Sequence, residues 1–520
     1  MRGKQSLKKA YRKLLGVMLV VILCASQLGL VASGEGMRMG SLEERGIHQR
    51  HVHFGEAYGE RTPEEIWAEE QAAIRAEWFN TIPESNKIEN WPQGPLTYAH
   101  SAIVMEINSG AVLYSKNSDA VMYPASITKL LTLLVALDHS ELTDQVEFTE
   151  ASMAMVRWDY AHIAMQEGEV LSMEDALFAL MLASANEVAV AIAETVGNLM
   201  DGGGVDSFIR VMNETSREIG TTRSSWVNPT GLHGYNHYTT AYDMALITSY
   251  LYHYPQYHWI MGELGHEIGY TNLVEEVRHV WQDHQMLLNP VNDFFNPFAN
   301  GGKTGFTNEA GTTLVTTGNN GEFSIVVVLL YAYGWDAYIT TEALFDYAFN
   351  HFSKFYMDVN LLDQHVVEFL EADRYIMVPN HIAFSEVDRE IIVTDENNNL
   401  GIARYTYRGQ FLGEVRIALS DDYFEYLEYL EYLEYLAYLE ALEAQQEALE
   451  MEQGADEGGI SQGESGYSRA NIIVIALAVF LVILVIAFAL VLQQIRLKRM
   501  LYEKKKREKE RRRREMNLYD

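Results

Sequence analysis

The sequence predicts an α/β domain built on an antiparallel sheet with a helical subdomain inserted into it, followed by a small β-rich domain and a C-terminal transmembrane helix. Three observations carry that expectation. Strand-like runs stand at both ends of a mostly helical stretch between residues 96 and 352. Short apolar runs bounded by turn residues continue to about 420, and 21 uncharged apolar residues occupy Ile472–Leu492.

In chain order, residues 1–33 read as an export signal. Arg2, Lys4, Lys8, Lys9, Arg12 and Lys13 precede the apolar run Leu14–Ala25, and Val31-Ala32-Ser33 offers a cleavage site; an uncleaved anchor is the alternative. The single cysteine, Cys24, lies inside that run, and Leu23 before it is too large for a lipoprotein signal. Once the signal is removed, neither disulfides nor thiol chemistry remain. Residues 34–95 form a charged extension with one helix from Pro63 to Phe79, opened by Thr62 with Glu64 and Glu65 in its first turn. His48, His51 and His53 suit a histidine-rich tail better than a metal site, and no metal or cofactor is expected.

Ser101–Ile107 and Ala111–Ser115 flank Asn108-Ser109-Gly110 and read as a hairpin. Helical periodicity then dominates from Ser126 to about Tyr252, including Ser172–Leu182, Glu187–Val196 and Thr240–Tyr250. Sheet character returns at Gly302–Gly305, Thr312–Thr317 and Phe323–Tyr331, and Thr340–Phe352 reads as a closing helix. Residues 353–420 hold the strand-like runs Tyr375–Val378, Glu390–Thr394 and Gly413–Leu419. Residues 421–470 are an acidic helical stalk and linker: Glu-Tyr-Leu repeats every three residues from Glu425 to Leu436, so at 3.6 residues per turn its apolar positions spiral round the helix. Self-association of stalks is one expectation, and Gly454–Arg469 reads as a flexible join.

Residues 471–492 are the membrane helix, and twelve cations in 493–520 place that tail in the cytoplasm, with the residues before the helix on the outer side. The whole chain carries −33; setting aside +6 from residues 1–13 and +7 from 493–520 leaves −46 on 14–492. So acidic an exterior argues against nucleic acid as a partner, and a basic stop-transfer flank beside anionic lipid accounts for the tail.

Three short motifs carry chemistry. Ser126-Ile-Thr-Lys129 opens a helical run, which sets a hydroxyl and an amine on one face; a desolvated lysine there serves as base for a serine nucleophile. Taken alone, Ser126 also reads as a helix cap and Lys129 as a surface lysine. Ser184-Ala-Asn186 falls at a break between helices, offering a hydroxyl for proton relay and an amide to orient a carbonyl; alone it reads equally as a cap. Lys303-Thr304-Gly305 opens a strand, where cation and hydroxyl suit a carboxylate and the glycine allows close approach of substrate backbone.

In this order the motifs are the signature of penicillin-binding proteins and class A β-lactamases. The surrounding Tyr123–Thr132, Gly302–Gly311, Asn228-Pro-Thr-Gly-Leu232 and Thr240-Ala-Tyr-Asp243 resemble the low-molecular-weight penicillin-binding proteins that are serine D-Ala-D-Ala carboxypeptidases. The resemblance covers about Tyr98–Phe352, and the following β-rich domain is also similar to that family's second domain.

The resemblance implies a penicillin-binding/β-lactamase-like fold. It also implies removal of terminal D-Ala from peptidoglycan stem peptides, with β-lactams as covalent inhibitors. It implies that Ser126 attacks, Lys129 takes the proton, and Ser184 passes it to the leaving D-alanine. Asn186 would orient substrate, Lys303 and Thr304 would hold its carboxylate beside Gly305, and the N–H groups of Ser126 and Phe306 would form the oxyanion hole. One departure is that the arginine some relatives place before the closing helix is missing, since none occurs between Arg278 and Arg374. Another is the spanning anchor, where many relatives end in an amphipathic helix lying on the membrane. No ExxLN-type loop occurs between Ser184 and Lys303, which disfavours β-lactamase action. Endopeptidase action on crosslinked peptides would use the same acyl-enzyme, and a non-enzymatic receptor for wall peptide or β-lactam is the contrasting reading.

Overall fold

The computed structural model describes residues 62–456, apart from 283–284, 359–360, 362–364 and 397. Described residues up to Glu425 form one compact unit and those from Tyr426 a second. The expected export signal, His48, His51, His53, the membrane helix at 471–492 and the basic tail lie outside the described residues. Among those described, no helix is long and apolar enough to cross a membrane.

Helix α1 (Pro63–Asn80) is followed by the expected hairpin, β1 (Ser101–Glu106) and β2 (Val112–Lys116), in which Ala102 lies opposite Lys116. A 3-10 turn over Ala125–Thr128 runs straight into α2 (Lys129–His139). The helical insert comprises β3 (Gln145–Glu147), α3 (Glu150–Met153), β4 (Val170–Ser172), α4 (Met173–Leu182), α5 (Asn186–Asn198), α6 (Gly204–Ile219), α7 (Ala241–Leu251) and α8 (Pro255–Met261), then the hairpin β5 (Gly265–Ile268) and β6 (Arg278–Trp281). Side-chain caps start two of these helices: Ser172 accepts from the Asp175 N–H at 3.1 Å and Thr240 from the Asp243 N–H at 3.0 Å.

Three long strands close the main sheet: β7 (Ala299–Thr307), β8 (Gly311–Asn319) and β9 (Ser324–Ala332). The order is β2-β1-β9-β8-β7, antiparallel throughout, which leaves β7 at an edge against the 3-10 turn. The apolar run on β9 is buried on both faces. Val326, Val328 and Leu330 join the core shared with the helical insert, and the alternate residues Ile325, Val327 and Leu329 are buried on the opposite face. Helix α9 (Asp336–His351) begins four residues before the expected Thr340. Trp335 before it makes no side-chain cap, so nothing local marked the start.

Six further strands follow. β10 (Phe352–Tyr356) pairs with β12 (Tyr375–Pro379), and β11 (Val366–Phe369), β13 (Asp388–Asp395), β14 (Leu400–Tyr407) and β15 (Gln410–Leu419) form a sheet of order β11-β15-β14-β13. These strands are tied to the first hairpin: the Tyr375 hydroxyl donates to Glu106 at 2.9 Å and the Gln410 amide to the Val112 carbonyl at 2.8 Å. Helix α10 (Asp421–Asp456) covers the Glu-Tyr-Leu repeat. It continues past Gly454, where a flexible join was expected, because the Ala- and Glu-rich residues before it favour helix and carry the last turn. In its second-unit part, Tyr429, Tyr432, Leu433 and Tyr435 are exposed, as a three-residue repeat that spirals round a helix requires.

Candidate active site

The site grows from the turn before α2. Ala125 is held at φ +51°, a left-handed conformation that alanine rarely adopts, and Ser126 follows it half-buried. Neither the 3-10 turn nor α2 has a side-chain cap, so the cap reading of Ser126 fails. Lys129 has no exposed surface. Its Nζ lies 3.1 Å from Ser126 Oγ, 2.7 Å from Asn186 Oδ1 and 2.8 Å from the Thr230 carbonyl. The expected grouping of serine, lysine and amide is therefore present. Asn186, expected to orient substrate, also fixes the lysine.

The second motif lies where expected, between the end of α4 and the start of α5. Ser184 is nearly buried and sits at φ +56°, another left-handed non-glycine residue. Its hydroxyl makes no hydrogen bond to a described residue, so it is placed beside the lysine's amide ligand without being locked to the lysine itself. The Asn186 N–H is taken by the Ala161 carbonyl at 2.9 Å, and the next residue, Glu187, is fully buried, with one carboxylate oxygen accepting the Ile163 N–H at 2.7 Å. Its other oxygen, buried, has no hydrogen-bond partner among the described residues.

On the edge strand β7, Lys303 is almost buried and, among the described residues, donates only to the Thr304 carbonyl at 3.0 Å; Thr304 is half-buried and Phe306 is 67% exposed. The glycine between them also packs against the protein itself. A Cβ on Gly305 would lie 2.7 Å from the Ser126 nitrogen and 2.5 Å from Thr313 Oγ1, so the Ala125–Ser126 peptide also requires the missing side chain. Gly231 closes on the same peptide from another side: at φ +87°, a Cβ there would lie 1.9 Å from the Ala125 oxygen.

Gly231 belongs to the segment Asn228–Leu232, whose resemblance was noted without a role. Asn228 Oδ1 accepts from the Thr230 N–H and hydroxyl and from the Gly231 N–H, folding the segment into a tight turn. That turn presents the Thr230 carbonyl to Lys129 and the Pro229 carbonyl to the Thr132 hydroxyl at 2.7 Å. Asn228, Thr230, Gly231 and Glu187 are thus site residues that motif reading missed. The lysine contact spans 101 positions, a separation at which no local pattern survives.

Electrostatics sets the site apart from the acidic exterior. Burial, then the charge of Lys303, holds Lys129 well below the usual lysine range, with Glu187 opposing. Burial alone pushes Lys303 down to about 7. Burial likewise raises the carboxyl of Glu187, so the one nearby acid is a poor counter-ion. Lys303, buried with a backbone carbonyl as its partner among the described residues, suits an anionic ligand. Among the described residues no group of three or more His, Cys, Asp or Glu side chains could hold a metal. Against the turn carrying Ser184 opens a cavity of about 530 Å³, lined by Ala183, Tyr160, His162, Arg278 and Trp281.

Comparison with known proteins bears on residues 89–334, which match the family described as D-alanyl-D-alanine carboxypeptidase. D-alanyl-D-alanine carboxypeptidase DacF of Bacillus subtilis is 31% identical over 238 residues, covering 44% of this chain and 57% of the relative. The chain thus spans little more than half of that protein's length. A D-alanyl-D-alanine endopeptidase of Pseudomonas aeruginosa is 29% identical over 240 residues, 44% of this chain and 70% of the relative. The crystal structure of penicillin binding protein 5 from Haemophilus influenzae superposes with a TM-score of 0.51 at 22% identity, over 62% of this chain and 97% of that one, a likeness of fold.

Proposed function

We propose that the chain, whose residues 89–334 match the D-alanyl-D-alanine carboxypeptidase family, removes the terminal D-alanine of peptidoglycan stem peptides through an acyl-enzyme on Ser126. The observation that carries this reading is the surroundings of Lys129. Asn186 Oδ1 and the Thr230 carbonyl can only accept, so in the neutral amine they take both N–H groups and the lone pair is left for Ser126 Oγ. Burial and the charge of Lys303 both shift Lys129 toward that neutral amine.

Ser126 Oγ attacks the carbonyl carbon of the penultimate D-Ala as its proton passes to Lys129 Nζ. The oxyanion is held by the N–H groups of Ser126 and Phe306. The C–N bond then breaks, and the proton reaches the departing amine from Lys129 by way of the Ser184 hydroxyl. Water hydrolyses the ester and restores Ser126. Lys303 and Thr304 hold the substrate's terminal carboxylate without the arginine found in some relatives; burial of Lys303 with a single partner supports this role. β-Lactams acylate the same serine. An endopeptidase activity would use the same chemistry.

The placement proposed from sequence is export by residues 1–33, anchoring by 471–492 and a cytoplasmic 493–520. Protease protection of a tag after Asp520 in intact cells tests it. Association of copies through α10 is tested by sedimentation of the detergent-solubilised chain. For the activity, the full chain is incubated with fluorescent penicillin and with a peptide ending in D-Ala-D-Ala, beside Ser126→Ala. Covalent labelling and D-alanine release by the wild type alone support the enzyme; a folded wild type that binds penicillin reversibly, without either, points to a receptor.

A further inference from the structure

His237 is absent from the three motifs and makes no hydrogen bond to Ser126, yet its bonds lead to it. The ring is 1% exposed, with Trp226 edge-on at 5.6 Å. Its Nδ1 accepts the Val227 N–H at 3.1 Å, so in the neutral ring the proton sits on Nε2. Nε2 lies 2.9 Å from Thr128 Oγ1, and the Thr128 hydroxyl donates to the Ala125 carbonyl at 2.9 Å. Since that hydroxyl spends its only proton on Ala125, it must accept from His237. Every donor in the chain is thereby fixed: His237 Nε2–H to Thr128, Thr128 O–H to Ala125 C=O.

The Ala125 carbonyl and the Ser126 N–H are two ends of one peptide plane and point in opposite directions across it. A bond that anchors the carbonyl therefore aims the N–H. It also draws electron density toward the oxygen, which makes the N–H a stronger donor. Ala125 is held left-handed, and the backbones of Gly231 and Gly305 close on the plane from two sides, so its carbonyl has little freedom once Thr128 holds it.

We propose that His237 is a positioning residue of the oxyanion hole, acting through the Thr128 hydroxyl to aim and polarise the peptide whose N–H belongs to Ser126. This rests on the acyl-enzyme reading above. A charged ring would set Nδ1–H against the Val227 N–H beside Lys129 and His233; burial first, then those two groups, hold the ring's pKa down to about 3, so the arrangement persists across the working pH range.

The test measures acylation of the full chain in detergent by fluorescent penicillin, separating the saturation constant from the first-order rate, with thermal midpoints as a check on folding. Thr128→Val keeps the shape and removes the chain; its acylation rate should fall about 10- to 100-fold with the saturation constant unchanged, as for loss of support to one oxyanion donor. Thr128→Ser should stay near wild type. His237→Asn can still accept from Val227 but falls short of Thr128, and should match Thr128→Val. His237→Gln places an amide N–H near the Nε2 position and should recover to within a few-fold. Thr128→Val/His237→Asn should be no slower than either alone. A folded Thr128→Val that acylates at the wild-type rate overturns the proposal, as does a double variant whose losses multiply. A wild type that does not acylate at all overturns instead the reading on which the proposal rests.

Discussion

Lys116, in the seam where α1 meets the end of β2, and Lys129, on the floor of the site, both lack exposed surface, yet their surroundings differ in kind. Lys116 Nζ donates to the carbonyls of Trp78, Thr97 and Ala99 at 2.7–2.8 Å and to the Thr97 hydroxyl at 3.2 Å. These are fixed acceptors, one of them at the negative end of a helix. Lys129 has two fixed acceptors and, third, a hydroxyl half open to solvent, with a second lysine near enough to depress it further. Burial lowers both amines, Lys116 to about 8. Only the second can trade a proton with a ligand that has one to give. A buried lysine is a clamp where all its partners are permanent acceptors, and is suited to act as a base where one of them is a hydroxyl with a proton to give.

Lys129→Ala gives the largest effect expected from this contrast. Labelling by fluorescent penicillin should fall at least about 10³-fold, with little change in thermal midpoint, because a poorly compensated buried amine is a stability cost. Lys116→Met should reverse the pattern. Four acceptors lose their donor, and urea unfolding should show a loss of about 3 kcal/mol, while labelling per folded molecule stays within about threefold of wild type. A stable Lys116→Met protein that cannot acylate would mean that α1 and its seam shape the site directly, and the contrast would collapse.

The sequence shows part of this contrast and hides the rest. Ser126, Lys129, Ser184, Asn186 and Lys303 stand in spaced motifs, and the hairpin over Ser101–Ser115 and the apolar run of β9 announce the sheet by period and turn chemistry. Lys116 looks like any polar residue ending a strand, because the acceptors that bury it lie 17 to 38 positions away on other elements. His237 lies 109 positions from Thr128, and Thr230 acts through a main-chain carbonyl that no side-chain motif can report. Gly305 was legible as a place where backbone must approach; that the approaching group is Ser126 is a fact of packing. β10, β11 and β14 escaped because their apolar residues are few or interleaved with polar ones, as in Arg404-Tyr-Thr-Tyr407.

Gly305→Ala sharpens the contrast at the site itself. The new methyl would press on the Ser126 nitrogen and on Thr313, so acylation should slow by about 10- to 100-fold; the folded protein should lose much less, since the strand can shift slightly. An alanine variant as fast as wild type would show that the peptide plane tolerates displacement.

The smallest effect expected is a pH dependence that separates Lys303 from both other lysines. Its pKa is about 7 in the folded chain and 10.5 in a free lysine. In the empty protein the unfolded state therefore holds the extra proton between those values, and stability rises with pH across that window. A bound carboxylate stabilises the protonated amine, so binding follows the opposite course. The KM for a peptide ending in D-Ala-D-Ala should be flat below about pH 7 and rise by up to about tenfold per unit above it, until the amine of the complex also titrates. The kcat, governed by Lys129 once substrate is bound, should not share that rise. Lys303→Arg, charged throughout, should flatten the KM profile even if it weakens binding overall. An unchanged profile in that variant would assign the titration to another group and leave Lys303 as a second structural clamp beside Lys116.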